Sequence, residues 1–299
     1  MKLSICVITI NRERQIQEAL LSCLACELPC ETEFVVIDNA STDSTEQAVF
    51  EVLGDCGYHY YYEKLAENLG VGGGRNYAYE KASGEFVYML DDDAVVDVEN
   101  NSKFFVQAID FFNAYPDIVT LTTQIYDTVW KRNRIENSSI RYSDNLYKCQ
   151  MFCGGSHFLR KSFYVKSPYL PNKYGYEEIP PSLRAINAGK VNAFCPDLKI
   201  IHQPQNNKWD WDDERNHALL VKGIALPYAI KKMMYPSFAV PLLWLANRRR
   251  VKLYLSNVKD AKHKVNETLK TFCKEYPIKE RISLKTLFRM FKEFKLSVF

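Results

Sequence analysis

Apolar and polar positions alternate between two periods along the first two-thirds of the chain. Residues 2–10 (KLSICVITI) form a β-branched apolar run that meets Asn11, Arg12, Glu13 and Arg14, which suits a buried parallel strand. Ile16, Leu20, Leu21 and Leu24 then recur at helical spacing until Pro29 stops the helix. Phe34–Ile37 reads as a second short strand ending at Asp38-Asn39. Ser41 or Thr42 is expected to cap a helix running to Leu53, with Asp43 and Glu46 in its first turn. A third strand is expected over Tyr58–Tyr62, then a Gly70–Gly74 loop, a helix to Ala82 and a strand over Glu85–Leu90. Strands alternating with helices in this way predict an α/β fold, an open parallel sheet wound with helices.

Ligands of such sheets bind beyond the carboxyl ends of the strands. Asp38, Gly70–Gly74 and Asp91–Asp93 sit at those ends and are expected to converge on one crevice. The pattern loosens from 95 to 176, where mixed strands and loops are expected. Ile179–Ala188 reads as a short helix with Pro180 and Pro181 in its first turn, followed by a strand ending Ile200-Ile201-His202. Beyond Pro204 the chain turns basic, helical and aromatic. The boundary is expected there, giving a catalytic domain over 1–205 and a helical C-terminal region over 206–299.

Charge sharpens that division. Residues 231–299 hold 17 Lys and Arg against 5 Asp and Glu, whereas 1–230 hold 22 against 31. The tail is therefore expected to face something anionic and the body to handle cations or metal-bound ligands. The nine cysteines are odd in number and without a secretory signal, since the apolar run at Met1–Ile10 is too short. Reduced thiols in a cytoplasmic protein are the expectation; Cys23, Cys26 and Cys30 lack a fourth ligand for structural zinc. Met233–Ala246, the longest apolar stretch, contains Pro236 and Pro241 and falls short of a membrane span.

The strongest chemical signal is Leu90-Asp91-Asp92-Asp93 at the end of a hydrophobic strand. Adjacent carboxylates repel, and a hard cation, Mg²⁺ or Mn²⁺, bridging to phosphate oxygens is the natural counter-charge. Alternation along an extended chain would point Asp91 and Asp93 the same way. The alternative is a solvated acidic turn. A carboxylate at Asp38 could accept the N3–H of a uracil or thymine ring, or could simply hold a turn. His202 could complete a metal site with two carboxylates, or be a hydrogen-bonded core histidine. Glu177-Glu178 could supply a general base, or favour a helix N-terminus through the helix dipole.

The ordered set of motifs resembles a family-2 glycosyltransferase of the GT-A fold, in which a Rossmann-like, mixed but mostly parallel sheet is flanked by helices. The matching stretches are Val7–Arg12, Val36–Asp43, Asn68–Gly70 with Gly74–Asn76, Gly84-Glu85, Leu90–Asp93, and later Glu177-Glu178 with Ser182–Arg184. The Thr-x-Asn-Arg and Asp-Asp-Asp-Ala forms resemble the rhamnosyl- and galactofuranosyl-transferring members in particular. The resemblance implies that Thr9, Asn11, Arg12, Asp38, Asn39, Gly70, Gly74, Arg75, Asp91 and Asp92 bind a nucleotide-sugar, with Thr9 and Asp38 on the base and Arg75 near the diphosphate. It implies a metal at Asp91, Asp93 and His202. It aligns Glu178 with the family's catalytic aspartate, a departure by one methylene that leaves Glu177 in reserve. Gly154 and Gly155 match the small-residue segment on the acceptor side, and Trp209 and Trp211 could stack on a sugar or sit at a membrane interface. The glycine run over 72–74 would let the backbone approach the donor closely.

The expected activity is thus inverting, metal-dependent, non-processive transfer of a hexosyl or pentosyl group from a nucleotide-sugar, with UDP favoured over dTDP, to a glycan, glycoprotein or lipid-linked acceptor in cell-surface polysaccharide or glycoconjugate synthesis. A sugar-phosphate nucleotidyltransferase would carry a glycine-rich, lysine-bearing loop after the first strand, where this chain has Thr9-Ile10-Asn11-Arg12. A non-catalytic binding subunit of the same fold is the third reading. No recognition motif supports nucleic acid as a partner. In the tail, Leu284, Leu287, Phe288, Phe291 and Phe294 recur at helical spacing among Lys285, Arg289, Lys292 and Lys295. That pattern fits either an anionic membrane surface on the inner face of the cell membrane or a docking helix against the catalytic domain or another subunit of a homo-oligomer.

Overall fold

The computed structural model describes residues 2–134, 140–204 and 213–299. The chain divides into two compact units, Met1–Ala185 with Gly189–Pro204, and Ile186–Ala188 with Gln205–Phe299.

The first unit is built on one mixed sheet. In chain order its elements are β1 (Leu3–Thr9), α1 (Glu13–Leu24), β2 (Thr32–Asp38), α2 (Thr45–Leu53), β3 (His59–Lys64), α3 (Gly70–Lys81) and β4 (Phe86–Asp91). There follow β5 (Ala94–Val96), α4 (Phe104–Ala114), β6 (Ile118–Asp127), β7 (Arg132–Asn133), β8 (Arg141–Ser143), β9 (Leu146–Lys148), β10 (Ser156–Arg160), α5 (Ile179–Asn187) and β11 (Val191–His202). The strand order is β3-β2-β1-β4-β10-β6-β11-β9-β8, with β5 paired to β11 and β7 to β6. β1–β4 pair in parallel, β10 runs antiparallel between β4 and β6, and β11 is parallel to β6.

Side-chain alternation divides the strands between two cores. Leu3, Ile5, Val7, Phe34, Val36, Phe86, Tyr88 and Leu90 face α1, α2 and α4, while Cys6, Val35, Ile37, Val87 and Met89 join Ala78 and Tyr79 of α3 on the other face. Burial on both faces explains why these strands read as continuous apolar runs. The fold is GT-A with C-terminal helices.

Two local expectations need correction. Ser41 and Thr42 do not cap α2: the Ser41 hydroxyl accepts the Asn11 N–H, and Asp43 accepts the Thr45 N–H at the helix start. The glycines at 70–74 form the first turns of α3 rather than a loop before it.

The second unit is helical, comprising α6 (His217–Met234), α7 (Val240–Tyr254), α8 (Ala261–Glu275) and α9 (Leu284–Phe294). α6 packs against α7 and α8. The apolar run at 233–246 is broken by extended backbone at Tyr235 and Pro236. Among the described residues no helix is long and apolar enough to cross a membrane. The apolar residues of α9 divide into two stripes: Leu287 and Met290 are buried, while Leu284, Phe288 and Phe291 are exposed.

Candidate active site

Strand register brings the carboxyl ends together. Thr9 of β1 lies opposite Asp38 of β2, and Ile8 lies opposite Asp91 of β4. Because β10 reverses direction between β4 and β6, the ends of β6 and β11 reach the same edge, with Asp127 opposite His202. After Asp91 the chain turns at Asp92-Asp93 before β5, whose Ala94 pairs with His202. The two acids converge through this turn and not through strand alternation. Asp92 is directed to Thr9, whose hydroxyl donates to it at 2.8 Å. Asp91, Asp93 and His202 each offer one ligand atom, all within 4.8 Å of one another. Two hard carboxylate oxygens and an imidazole fit a divalent cation, and the nitrogen favours Mn²⁺ over Mg²⁺.

The histidine is held by a group not anticipated from the sequence. Asp127, fully buried, faces His202 Nδ1 at 3.0 Å, while His202 Nε2 lies 3.2 Å from Asp93. The other Asp127 oxygen accepts the N–H groups of Val129 and Trp130, and Arg134 pairs with Asp127 at 2.9 Å. Burial alone would raise this carboxyl, but the Trp130 N–H, Arg134 and His202 hold it below the usual range. His202 Nδ1 meets both an Asp127 oxygen at 3.0 Å and the Arg134 guanidinium, which can only donate, at 2.8 Å, so the proton sits on Nδ1 when it pairs with Asp127 and the Nε2 lone pair then faces Asp93.

A second ion-pair system flanks the first. Arg75, 3% exposed, bonds both Asp91, at 2.5 Å, and Glu177. Arg12 faces Asp93 at 3.3 Å. Glu177 therefore has one oxygen committed to a guanidinium. Glu178 is half-buried at the N-terminal end of α5, and its carbonyl accepts the Ser182 N–H. Burial and the neighbouring Glu177 charge raise the Glu178 carboxyl above the usual range. Burial and Asp93 push Asp92 up to about 7. Tyr176, at φ 65°, occupies the left-handed region that a bulky residue seldom adopts, in the turn that presents both glutamates.

Other expected positions have different neighbours. Asp38 has no exposed surface; one oxygen accepts the Ser41 N–H of its turn and the other the Tyr62 hydroxyl of β3, so a base contact would use the lone pairs these bonds leave. Asn11, at φ 52°, accepts the Thr42 N–H, and Asn39 is buried with its amide nitrogen 3.4 Å from the Gly70 carbonyl. The glycines of α3 approach the protein's own backbone. A Cβ on Gly70 would lie 2.4 Å from Lys173 Cα, one on Gly72 1.9 Å from the Leu170 carbonyl oxygen, and one on Gly74 2.8 Å from the Asn39 amide. Gly154 and Gly155 border the ion-pair cluster, where a Cβ would meet Arg75 at 2.8 Å and Asp91 at 3.0 Å. Trp209 and Trp211 lie outside the described residues. Asp127 carried a weaker signal in the sequence, an acid closing the β-branched stretch Ile118–Tyr126, whereas Asp91 closes the continuous apolar run Phe86–Leu90.

With this geometry, a family profile described as Glycosyl transferase family 2 matches residues 4–166. The chain belongs to glycosyl transferase family 2. It is 28% identical over 192 residues to a protein of Mycoplasma pneumoniae named as a glycosyltransferase, MG060 homolog, spanning 60% of each chain. It is 38% identical over 101 residues to the poly(ribitol-phosphate) β-N-acetylglucosaminyltransferase TarS of Staphylococcus aureus, covering 33% of this chain and 17% of that protein. These family-2 relatives are thus matched over less than two-thirds of their length. In three dimensions, S. aureus TarS 1-349, solved with UDP-GlcNAc, superposes with a TM-score of 0.62 at 17% identity, covering 100% of this chain and 89% of that one. A mannosyltransferase of Pyrobaculum calidifontis, solved with GDP-Man and Mn²⁺, gives 0.59 at 16% identity, with 100% and 81% covered.

Proposed function

We propose that this family-2 chain transfers a sugar from a UDP-sugar to a hydroxyl of a glycan or lipid-linked acceptor, by a single inverting displacement. The observation that carries the reading is the convergence of Asp91, Asp93 and His202 at the strand edge, with Arg75 joining Asp91 to Glu177 next to Glu178. Bound to those three side chains, Mn²⁺ or Mg²⁺ would supply the charge that stabilises a departing diphosphate. Arg75 and Arg12 hold Asp91 and Asp93 in position, and both guanidiniums lie where an anionic donor needs counter-charge. Glu178 takes the acceptor proton as the acceptor oxygen bonds to the anomeric carbon; the bond from that carbon to the diphosphate oxygen breaks, and its electron pair leaves with UDP. Attack from the face opposite the leaving group inverts the centre. Glu177 is less suited to the base role because one of its oxygens is engaged by the Arg75 guanidinium. One transfer per encounter is the reading. Nine free cysteines and the exposed basic–apolar face of α9 support work in a reducing compartment, at an anionic membrane surface.

The test is turnover. Purified protein screened against UDP-, dTDP- and GDP-sugars should release nucleoside diphosphate only with Mn²⁺ or Mg²⁺. Glu178→Gln should lower kcat by ~10²-fold or more with little change in donor KM, and Asp93→Ala should abolish the metal response. Undiminished turnover in both variants would defeat the site assignment. Release of pyrophosphate from a nucleoside triphosphate and a sugar phosphate would point to a nucleotidyltransferase instead.

A further inference from the structure

The helical unit contains a cavity of about 880 Å³ walled by α6, α7 and α8. Its size is that of a small-molecule site. Its charge is one-sided: Lys232, Arg248, Lys262 and Lys270 line it, with Glu267 as the single acid. Glu267 pairs with Lys270 at 3.3 Å, and no carboxylate pairs with the other three among the described residues. Cations gathered without acids repel one another, so the cavity is short of negative charge.

The walls carry more than charge. Trp244 is 48% exposed, with the Arg248 guanidinium 5.4 Å from its ring centroid. Tyr228 contributes a second ring. Asn247, which also lines the cavity, is 93% buried, and its amide oxygen has no hydrogen-bond partner. Inorganic phosphate at neutral pH would answer the cations but offers little to the rings. A lipid surface would meet the rim, not the recess between α6, α7 and α8. A saccharide that carries a phosphate or carboxylate answers both features: the anion meets the lysines and arginine, and the apolar face of the sugar lies on an aromatic ring.

We propose that this cavity binds an anionic saccharide, a phosphate- or carboxylate-bearing unit of the acceptor glycan, separately from the transfer site. The term acceptor rests on the function proposed above; the binding itself does not. The full chain is titrated by calorimetry with a phosphorylated oligosaccharide, its neutral parent, inorganic phosphate, and vesicles of phosphatidylserine and phosphatidylcholine. The phosphorylated saccharide should bind at least tenfold tighter than either the neutral parent or phosphate. Lys232→Glu with Arg248→Glu should lower that affinity at least tenfold, and Trp244→Ala should lower it with the charges intact, both leaving acceptor-free hydrolysis of the UDP-sugar unchanged. Equal affinity for the neutral parent or for phosphate overturns the proposal. So does vesicle binding that the double variant abolishes while the saccharide does not bind. Saccharide binding without any sugar transfer would refute the proposed function alone.

Discussion

At the residue scale the decisive relation is between Asp127 and His202. An imidazole becomes a metal ligand only when one nitrogen is held as the donor and the other is freed. Asp127 meets that need because its second oxygen is itself fixed by two backbone N–H groups, so the carboxylate cannot swing away from the ring. Asp127→Asn keeps the shape and those acceptor bonds but removes the charge behind the imidazole. Mn²⁺ affinity, read by electron paramagnetic resonance titration in the absence of donor, should fall by ~10–100-fold, while the circular dichroism spectrum at the titration temperature stays that of the folded chain and the melting temperature falls because Arg134 loses its buried partner. An unaltered affinity would reduce Asp127 to a turn residue. Asp91–Asp93 and His202 were legible in the sequence because acids and a histidine at strand ends have few structural reasons to be there. Asp127 obeys the same logic but ends a loosely patterned stretch, and His202 lies 75 residues further on, so no local spacing linked the two. Asp38 shows what the sequence left out: its type and place fit a base contact, and in the fold one oxygen accepts the Ser41 N–H of its own turn and the other the Tyr62 hydroxyl of β3.

At the scale of elements, periodicity located most helices and strands of the first unit because each buries one stripe or two full faces. What it missed depended on contacts remote in sequence. The glycines at the start of α3 read as a loop, since glycine disfavours a helix by about 1 kcal/mol. The segment 170–173 presses on that turn so closely that a side chain at Gly70 or Gly72 would overlap backbone. α6 poses a comparable conflict. Lys231 sits on its buried side, 4% exposed, with Nζ donating to the Val298 carbonyl at 3.0 Å. Burial, and then the charge of Arg250, push its ammonium down from 10.5 to about 8. The unfolded chain therefore binds the extra proton more tightly, and folding stability should rise as pH climbs from about 8 to about 10.5. The cost at neutral pH is on the order of 3 kcal/mol. Lys231→Met should raise the melting temperature at pH 7 and flatten the profile across that window. The Val298 carbonyl would keep the Tyr235 hydroxyl at 2.9 Å, so no acceptor is orphaned. A variant whose pH profile matched the parent's would remove Lys231 as the cause.

For the whole molecule the unequal division of charge is the property that no single element explains. Residues 231–299 carry 17 basic and 5 acidic side chains, and residues 1–230 carry 22 and 31. An anionic surface therefore attracts one part of the chain and repels the other, and the attraction is screened beyond about 10 Å at 0.1 M salt. Charge alone would give weak, salt-labile attachment, at about 1 kcal/mol per lysine or arginine near the membrane. α9 adds an apolar component: Leu284, Phe288 and Phe291 are 50%, 63% and 43% exposed on one stripe, flanked by Lys285 and Lys292. Inserting each ring would contribute about 1.5–3 kcal/mol, a term that salt does not screen. The two contributions predict a distinctive pattern in co-sedimentation. The chain should bind phosphatidylserine vesicles well at low salt, retain part of that binding at high salt, and bind phosphatidylcholine poorly. Phe288→Ser with Phe291→Ser should remove the salt-resistant fraction at least tenfold while donor hydrolysis in solution stays intact. If the same face instead joins two copies, light scattering will report a dimer that the double variant splits, and vesicles will not compete for it. That result would replace the lipid surface with a second subunit as the occupant of α9.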